Sequence, residues 1–124
     1  MKDKLDKVFS LYIRQRDSNV EGFGSCCTCK KRIHYKDGHC GHFMSRRHLS
    51  TRWDEKNCAL QCVSCNTYNQ GRQYEFSKYI DNKYGKGTAE SLSAKSAQTI
   101  KMTKVDYDEQ IKIFKEKLKS IKKY

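Results

Sequence analysis

The sequence predicts a single α+β domain in which short hairpins lie between helices at the two ends of the chain. The length of 124 residues suits one compact domain. Apolar residues near both ends recur every three or four positions, as in amphipathic helices, whereas the middle is cysteine-rich and interrupted by glycines. The expected boundaries are an N-terminal helical segment over 1–20, a core over 21–84 and a helical extension over 85–124.

The first half of the chain is predicted to hold one helix followed by hairpins. A helix is expected over 3–17, where the apolar positions are Leu5, Val8, Phe9, Tyr12 and Ile13. The glycine-containing stretch 21–25 breaks this pattern. Strand pieces are expected at Arg32–Tyr35 and His42–Met44, with turns at Gly38 and Gly41.

The second half is predicted to be mostly helical. Helices are expected over 66–84 and 88–97, and a last helix starts at Thr103, which forms a capping-box pattern with Asp106. An apolar stripe for packing then follows at Ile111, Phe114, Leu118 and Ile121. The other face of this helix is rich in lysines, which either contact phosphates or are simply solvated.

The charge balance points to an anionic partner. The chain has 26 basic and 14 acidic residues, a net charge of +12. The excess is concentrated in residues 26–60 (net +5) and 101–124 (net +4). Nucleic acid is the commonest partner of such a basic small domain. The chain has neither a long apolar run for a membrane span nor the apolar core of a signal peptide, which predicts a cytosolic location.

Four of the seven cysteines have the spacing of a structural zinc site. Cys26 and Cys29 form one C-x-x-C pair, and Cys62 and Cys65 form a second. Four thiolates complete a tetrahedron around zinc and leave no open position. Such an ion would also support a small core, because only 36% of the residues are hydrophobic.

The other three cysteines are expected to be small thiols, buried or partly exposed. They are Cys27, Cys40 and Cys58.

A polar segment between the cysteine pairs has the residue types that phosphodiester cleavage needs. Three of the four histidines, His39, His42 and His48, fall within ten residues, and Asn66 directly follows the last cysteine. Cleavage needs a base to activate water and a cation to neutralise the phosphate. Histidine suits the first role, and an amide or carboxylate oxygen suits a Mg²⁺ ligand.

The sequence resembles the NinG (Rap) recombination proteins of lambdoid phages over nearly its whole length. The strings that carry this resemblance are LDKVFSLYIR (5–14), GHFMSRR (41–47), TRW (51–53), Asn57, QCVSCN (61–66) and the 104–107 region. The order C-x-x-C, G-H-F, Asn and C-x-x-C-N is also similar to that of the HNH, or His-Me finger, nucleases, including phage endonuclease VII.

This resemblance implies both a fold and an activity. The implied core is a zinc-braced, treble-clef-like ββα-metal unit, in which a hairpin carries a catalytic histidine and the next helix supplies a metal ligand. The implied activity is metal-dependent cleavage of branched recombination intermediates, namely Holliday junctions and D-loops, with Mg²⁺ or Mn²⁺. Matched by position, His42 is the general base, Asn66 a metal ligand, and Asn57 the residue that orients the hairpin.

One position departs from the nuclease pattern. Gly41 stands where these nucleases usually have a metal-binding Asp before the base. Asp37, His39 or Asp54 could replace that ligand, or Asn66 could hold the ion together with DNA oxygens and water alone. The sequence leaves these alternatives open.

The basic residues around His42 are candidate DNA contacts. Arg46, Arg47 and Arg52 could bind phosphates through their forked guanidinium groups, with His48 as a further contact. Trp53 is predicted to anchor the core in preference to stacking on a base.

The implied partners are branched DNA, a phage recombinase and a second copy of the chain, because symmetric junction resolution needs two active sites. Two other functions compete with the nuclease. One is a non-catalytic, zinc-stabilised DNA-binding accessory of recombination, which Gly41 favours. The other is a zinc-stabilised protein-interaction domain, which leaves the charge of +12 unexplained.

Overall fold

The computed structural model describes residues 1–121 and has nine helices and strands within them. In chain order they are α1 (Lys2–Arg16), β1 (Phe23–Ser25), β2 (Arg32–His34), β3 (His39–His42), α2 (Leu49–Arg52), β4 (Cys58–Gln61), α3 (Gln73–Tyr84), α4 (Thr88–Ser96) and α5 (Lys104–Ser120). The predicted α+β class is confirmed. Residues 122–124 of the predicted helical extension lie outside the described residues.

The strands form two small antiparallel sheets. In the first, Gly24 of β1 pairs with Ile33 of β2. In the second, His39 of β3 pairs with Gln61 of β4, and His42 pairs with Cys58. The sequence predicted a strand over His42–Met44. The observed strand β3 lies earlier in the chain and ends at His42.

The main core lies between the first and last helices. Leu5, Phe9 and Ile13 of α1 pack against Ile111 and Phe114 of α5. The rings of Phe9 and Phe114 meet edge to face, with centroids 4.9 Å apart. The predicted capping box of α5 is confirmed, because Asp106 N–H donates to Thr103 Oγ1 and Thr103 N–H donates to the Asp106 carboxylate.

Trp53 belongs to this same core, as predicted. Its side chain is buried, and its ring meets that of Tyr107 edge to face, with centroids 5.7 Å apart.

A second core forms under α3 and α4 and includes Phe76, Ile80 and Leu92. The helix predicted from residue 66 is interrupted before α3 begins at Gln73. Residues 64–68 form a single π-helical turn, and Gln70, Gly71 and Arg72 all have positive φ angles of +52°, +80° and +46°. These left-handed residues separate the π-helical turn from α3.

None of the helices between residues 1 and 121 is both long and apolar enough to cross a bilayer.

Candidate metal centre and histidine cleft

The two C-x-x-C pairs come together in one cluster. The Sγ atoms of Cys26, Cys29, Cys62 and Cys65 all lie within 4.8 Å of one another. Cys29 Sγ and Cys62 Sγ are 3.7 Å apart. A zinc–sulfur bond of about 2.3 Å gives a tetrahedron edge of roughly 3.8 Å, so the cluster fits a structural zinc ion.

Each cysteine pair sits on a tight turn that the backbone closes. In the first, the N–H of Lys30 donates to the carbonyl of Cys26 (2.9 Å), with Lys30 in the left-handed region. In the second, the N–H of Asn66 donates to the carbonyl of Cys62 (3.0 Å). The first turn follows β1 and the second follows β4, so one ion at this cluster would connect the two sheets.

Hydrogen bonds favour a thiolate at Cys26. Burial by itself raises the pKa of this thiol, but the backbone N–H of Cys62 and the hydroxyl of Thr28 donate to the sulfur and outweigh burial. The resulting pKa of Cys26 is about 6, below its ordinary value. The Cys26 sulfur is therefore readily deprotonated, and the thiolate is the form that binds a metal cation.

A cleft of about 970 Å³ opens beside this metal centre. It lies between α1, β3 and the π-helical turn that follows the second cysteine pair. Of the predicted site residues, His39, His42, Arg46 and Asn66 line it. The cleft therefore gathers the general-base candidate, the metal-ligand candidate and one arginine on one concave surface.

His42 ends β3 with its ring partly buried in this cleft. Its Nε2 lies 2.9 Å from the carbonyl oxygen of Arg52. A carbonyl can only accept a hydrogen bond, so Nε2 carries the proton and Nδ1 is the basic nitrogen. Burial lowers the pKa of His42 below its ordinary value, although the Arg52 carbonyl acts in the opposite direction. The lowered pKa favours the neutral imidazole, which is the form that can accept a proton.

Asn57 holds the loop that follows His42. Its side chain is fully buried, and it accepts from the N–H of Met44 (2.7 Å) and donates to the carbonyl of Met44 (3.0 Å). A further bond from Nδ2 reaches the carbonyl of Thr51 (3.1 Å). This geometry suits the positioning role that the resemblance implies.

Asn66 and His39 contact each other across the cleft wall. Nδ2 of Asn66 donates to Nδ1 of His39 over 2.9 Å, which leaves the amide oxygen of Asn66 as its cation-binding atom. The two aspartates considered as replacement ligands are elsewhere. Asp37 is exposed and does not line the cleft, and the Asp54 carboxylate pairs with Nζ of Lys95 at 2.7 Å.

Gln61 explains why glycine occupies position 41. A Cβ at Gly41 would lie 2.3 Å from Oε1 of Gln61. Gln61 is fully buried, and its Nε2 donates to Thr28 (3.1 Å) and to the carbonyl of Gly71 (2.9 Å). Within residues 1–121, Oε1 of Gln61 is a buried oxygen without a hydrogen bond. An aspartate at position 41 would therefore require Gln61 to move.

The three candidate arginines have different surroundings. Arg52 is only 12% exposed and donates from Nε (3.1 Å) and Nη2 (2.5 Å) to the carboxylate of Asp6. Arg46 reaches the same carboxylate at 2.6 Å but is 58% exposed. Arg47 is exposed outside the cleft lining, and His48 precedes α2, partly buried. Arg46 is thus the arginine best placed to meet a phosphate in the cleft.

Asp6 is the site residue that the sequence did not reveal. Its carboxylate accepts from Arg46, Arg52 and Trp53 Nε1, the last at 2.9 Å. Burial by itself raises the pKa of Asp6, but the bonds from Arg52 and Trp53 outweigh it and keep the pKa below the ordinary value. The one signal in the sequence is that Asp6 lies beside the apolar stripe of α1. Asp3, Lys7 and Arg14 of the same helix also line the cleft.

Replacing Asp6 by asparagine should lower the free energy of unfolding by about 2 kcal/mol, because hydrogen bonds between charged groups are lost. Urea denaturation followed by circular dichroism measures this loss. Asp3→Asn, one turn earlier and exposed, is the control and should change stability by a few tenths of a kcal/mol. Equal stability of the two variants would contradict the role assigned to Asp6.

Comparison with known proteins identifies a family. The family model described as bacteriophage lambda NinG protein matches residues 1–124. No curated protein and no solved structure matches the chain.

Proposed function

The chain belongs to the bacteriophage lambda NinG family, and on this premise we propose that it is a metal-dependent endonuclease for branched DNA, acting on Holliday junctions and D-loops. The observation that carries the proposal is the cleft that holds His42, with Nε2 bonded to a carbonyl, next to the His39–Asn66 pair and Arg46. The β3–β4 hairpin and the turn after it would then be a ββα-metal unit of the HNH type.

In this mechanism each residue has one task. Nδ1 of His42 takes a proton from the attacking water, because Nε2 is held by the Arg52 carbonyl. Arg46 binds a phosphate oxygen, and Asn57 keeps the loop after His42 in place. The amide oxygen of Asn66, whose Nδ2 is held by His39, would hold Mg²⁺ or Mn²⁺ together with DNA oxygens and water; when bound, the ion supplies positive charge against the phosphate and the leaving 3′ oxygen.

The charge of the molecule supports DNA as the substrate. A net charge of +12 on 124 residues favours a polyanion, and the exposed Arg47 carries positive charge outside the cleft lining. Contacts to phosphates carry no sequence information, so recognition through the shape of a branch follows naturally. We propose that the protein acts in the cytoplasm of a bacterial host, together with a phage recombinase, and that a dimer provides two sites per junction.

The test is a cleavage assay on four-way junctions, D-loops and linear duplex DNA of the same sequence. The proposal expects nicking of the branched substrates with Mg²⁺ or Mn²⁺, and none with EDTA or with linear duplex. Binding should weaken steeply as salt rises, because phosphate contacts release counterions. Absence of metal-dependent nicking on all branched substrates would refute the enzyme.

A second candidate is a zinc-stabilised DNA-binding accessory without catalysis. The contact between Gly41 and Gln61 favours it, because no carboxylate can stand at position 41 without displacing Gln61. In that case binding to junctions survives both the omission of Mg²⁺ and Mn²⁺ and the loss of His42, and no nicking occurs.

A further inference from the structure

A second group of metal-ligating side chains lies on the β3–β4 hairpin. The ligand atoms of Cys40, His42 and Cys58 lie within 4.8 Å of one another. His42 pairs directly with Cys58, and Cys40 lies two residues before His42 on the same face of the hairpin. Two of the three cysteines that the structural zinc does not use are thus placed beside the proposed general base.

The three side chains converge on one point beneath the cleft. Nε2 of His42 and Sγ of Cys58 both face the carbonyl oxygen of Arg52, at 2.9 and 3.8 Å. Cys58 is buried, whereas Cys40 and His42 line the cleft. Three ligands therefore come from the protein side, and the cleft is open to a fourth.

Two thiolates and one imidazole are a soft ligand set that suits zinc. A tetrahedral site would have edges of roughly 3.8 Å between sulfur atoms and roughly 3.5 Å between sulfur and nitrogen, so these ligand atoms need to approach by about 1.3 Å at most. When the ion binds, the two thiols release their protons to solvent. The site thus requires only small side-chain movements and no change of the hairpin.

We propose that Cys40, His42 and Cys58 form a second, regulatory zinc site, whose occupation switches off the proposed nuclease. Zinc on Nε2 displaces the bond to the Arg52 carbonyl, and the one proton of the neutral imidazole moves to Nδ1. Nδ1 then cannot accept a proton from water. Metal binding follows from the cluster alone, whereas the inhibitory effect rests on the proposed function.

The binding test counts zinc ions in the full-length protein, kept reduced with a phosphine reductant and dialysed against micromolar Zn²⁺. Wild type should hold two ions per chain, and Cys40→Ser should hold one. Cys27→Ala is the control, because Cys27 belongs to neither cluster, and it should hold two. Titration with Co²⁺ should give a second thiolate-to-metal absorption step in wild type that Cys40→Ser lacks. One ion per chain in wild type, or two in Cys40→Ser, would overturn the site.

The inhibition test measures junction cleavage in Mg²⁺ at increasing Zn²⁺, each protein being compared with its own zinc-free rate. The cleavage rates of wild type and Cys27→Ala should fall at least tenfold as the second ion binds. The cleavage rate of Cys40→Ser should stay unchanged over the same range of Zn²⁺ concentration. Equal inhibition of wild type and Cys40→Ser would remove the regulatory role. If no protein cleaves DNA at all, the proposed function fails, while the zinc count still decides whether the site exists.

Discussion

His42→Ala should slow metal-dependent cleavage of a four-way junction by about 10²–10⁴-fold, the usual contribution of a positioned general base. Its ring is only partly exposed, and Nε2 is bonded to the carbonyl of Arg52, so alanine removes the basic Nδ1 and leaves the backbone of β3 paired with β4. The measurement is single-turnover nicking at saturating protein. Junction affinity, measured by fluorescence anisotropy, should change by less than about threefold.

The matched control is His34→Ala. His34 is a partly buried histidine at the end of β2, where its ring contacts Phe23 and does not line the cleft. This variant should cleave at close to the wild-type rate. Equal rates for wild type and His42→Ala would exclude His42 as the base and favour the non-catalytic accessory. A loss of junction binding in parallel with cleavage would point instead to a collapsed hairpin.

The parts of the fold that the sequence predicted are those set by local pattern. The Thr103–Asp106 cap lies within one helical turn and the apolar stripe of α5 within about three turns, and both are present. The C-x-x-C spacing likewise needs only a tight turn at each pair. β4 was missed because all four of its residues, Cys58–Gln61, are buried, so it has no alternation of polar and apolar positions.

The cleft was harder to predict because its chemistry depends on contacts that are distant in sequence. Asp6 meets Arg46 and Arg52 across 40 and 46 residues, and no spacing rule connects them. Asn66 and His39 are joined by a hydrogen bond across 27 residues. The sequence could offer His39, Asp37 and Asp54 as equal alternatives. Only the fold shows that His39 lies beside Asn66, whereas Asp37 and Asp54 do not line the cleft.

Cys26→Ala should remove zinc and with it the cooperative fold, the largest stability effect expected in this chain. Structural zinc sites with four thiolates contribute roughly 10 kcal/mol or more to folding. The whole free energy of unfolding of an ordinary small domain is about 5–15 kcal/mol. The loss of zinc is therefore enough to unfold a domain of low or average stability. Here the same ion would connect the turn after β1 to the turn after β4, so its loss releases both sheets. The measurement is zinc content together with thermal unfolding followed by circular dichroism.

The neighbouring cysteine provides the matched control. Cys27 is also buried, at 3% exposure against 0% for Cys26, but its side chain packs with Ala59, Phe76 and Ile80 in the second core. Cys27→Ala should keep the structural zinc and cost about 1 kcal/mol, the ordinary loss for trimming one buried atom. Because the two substitutions are chemically identical and adjacent, a difference between them comes from the metal and not from burial. Cooperative unfolding of zinc-free Cys26→Ala at the wild-type temperature would show that the hydrophobic cores alone hold the sheets together.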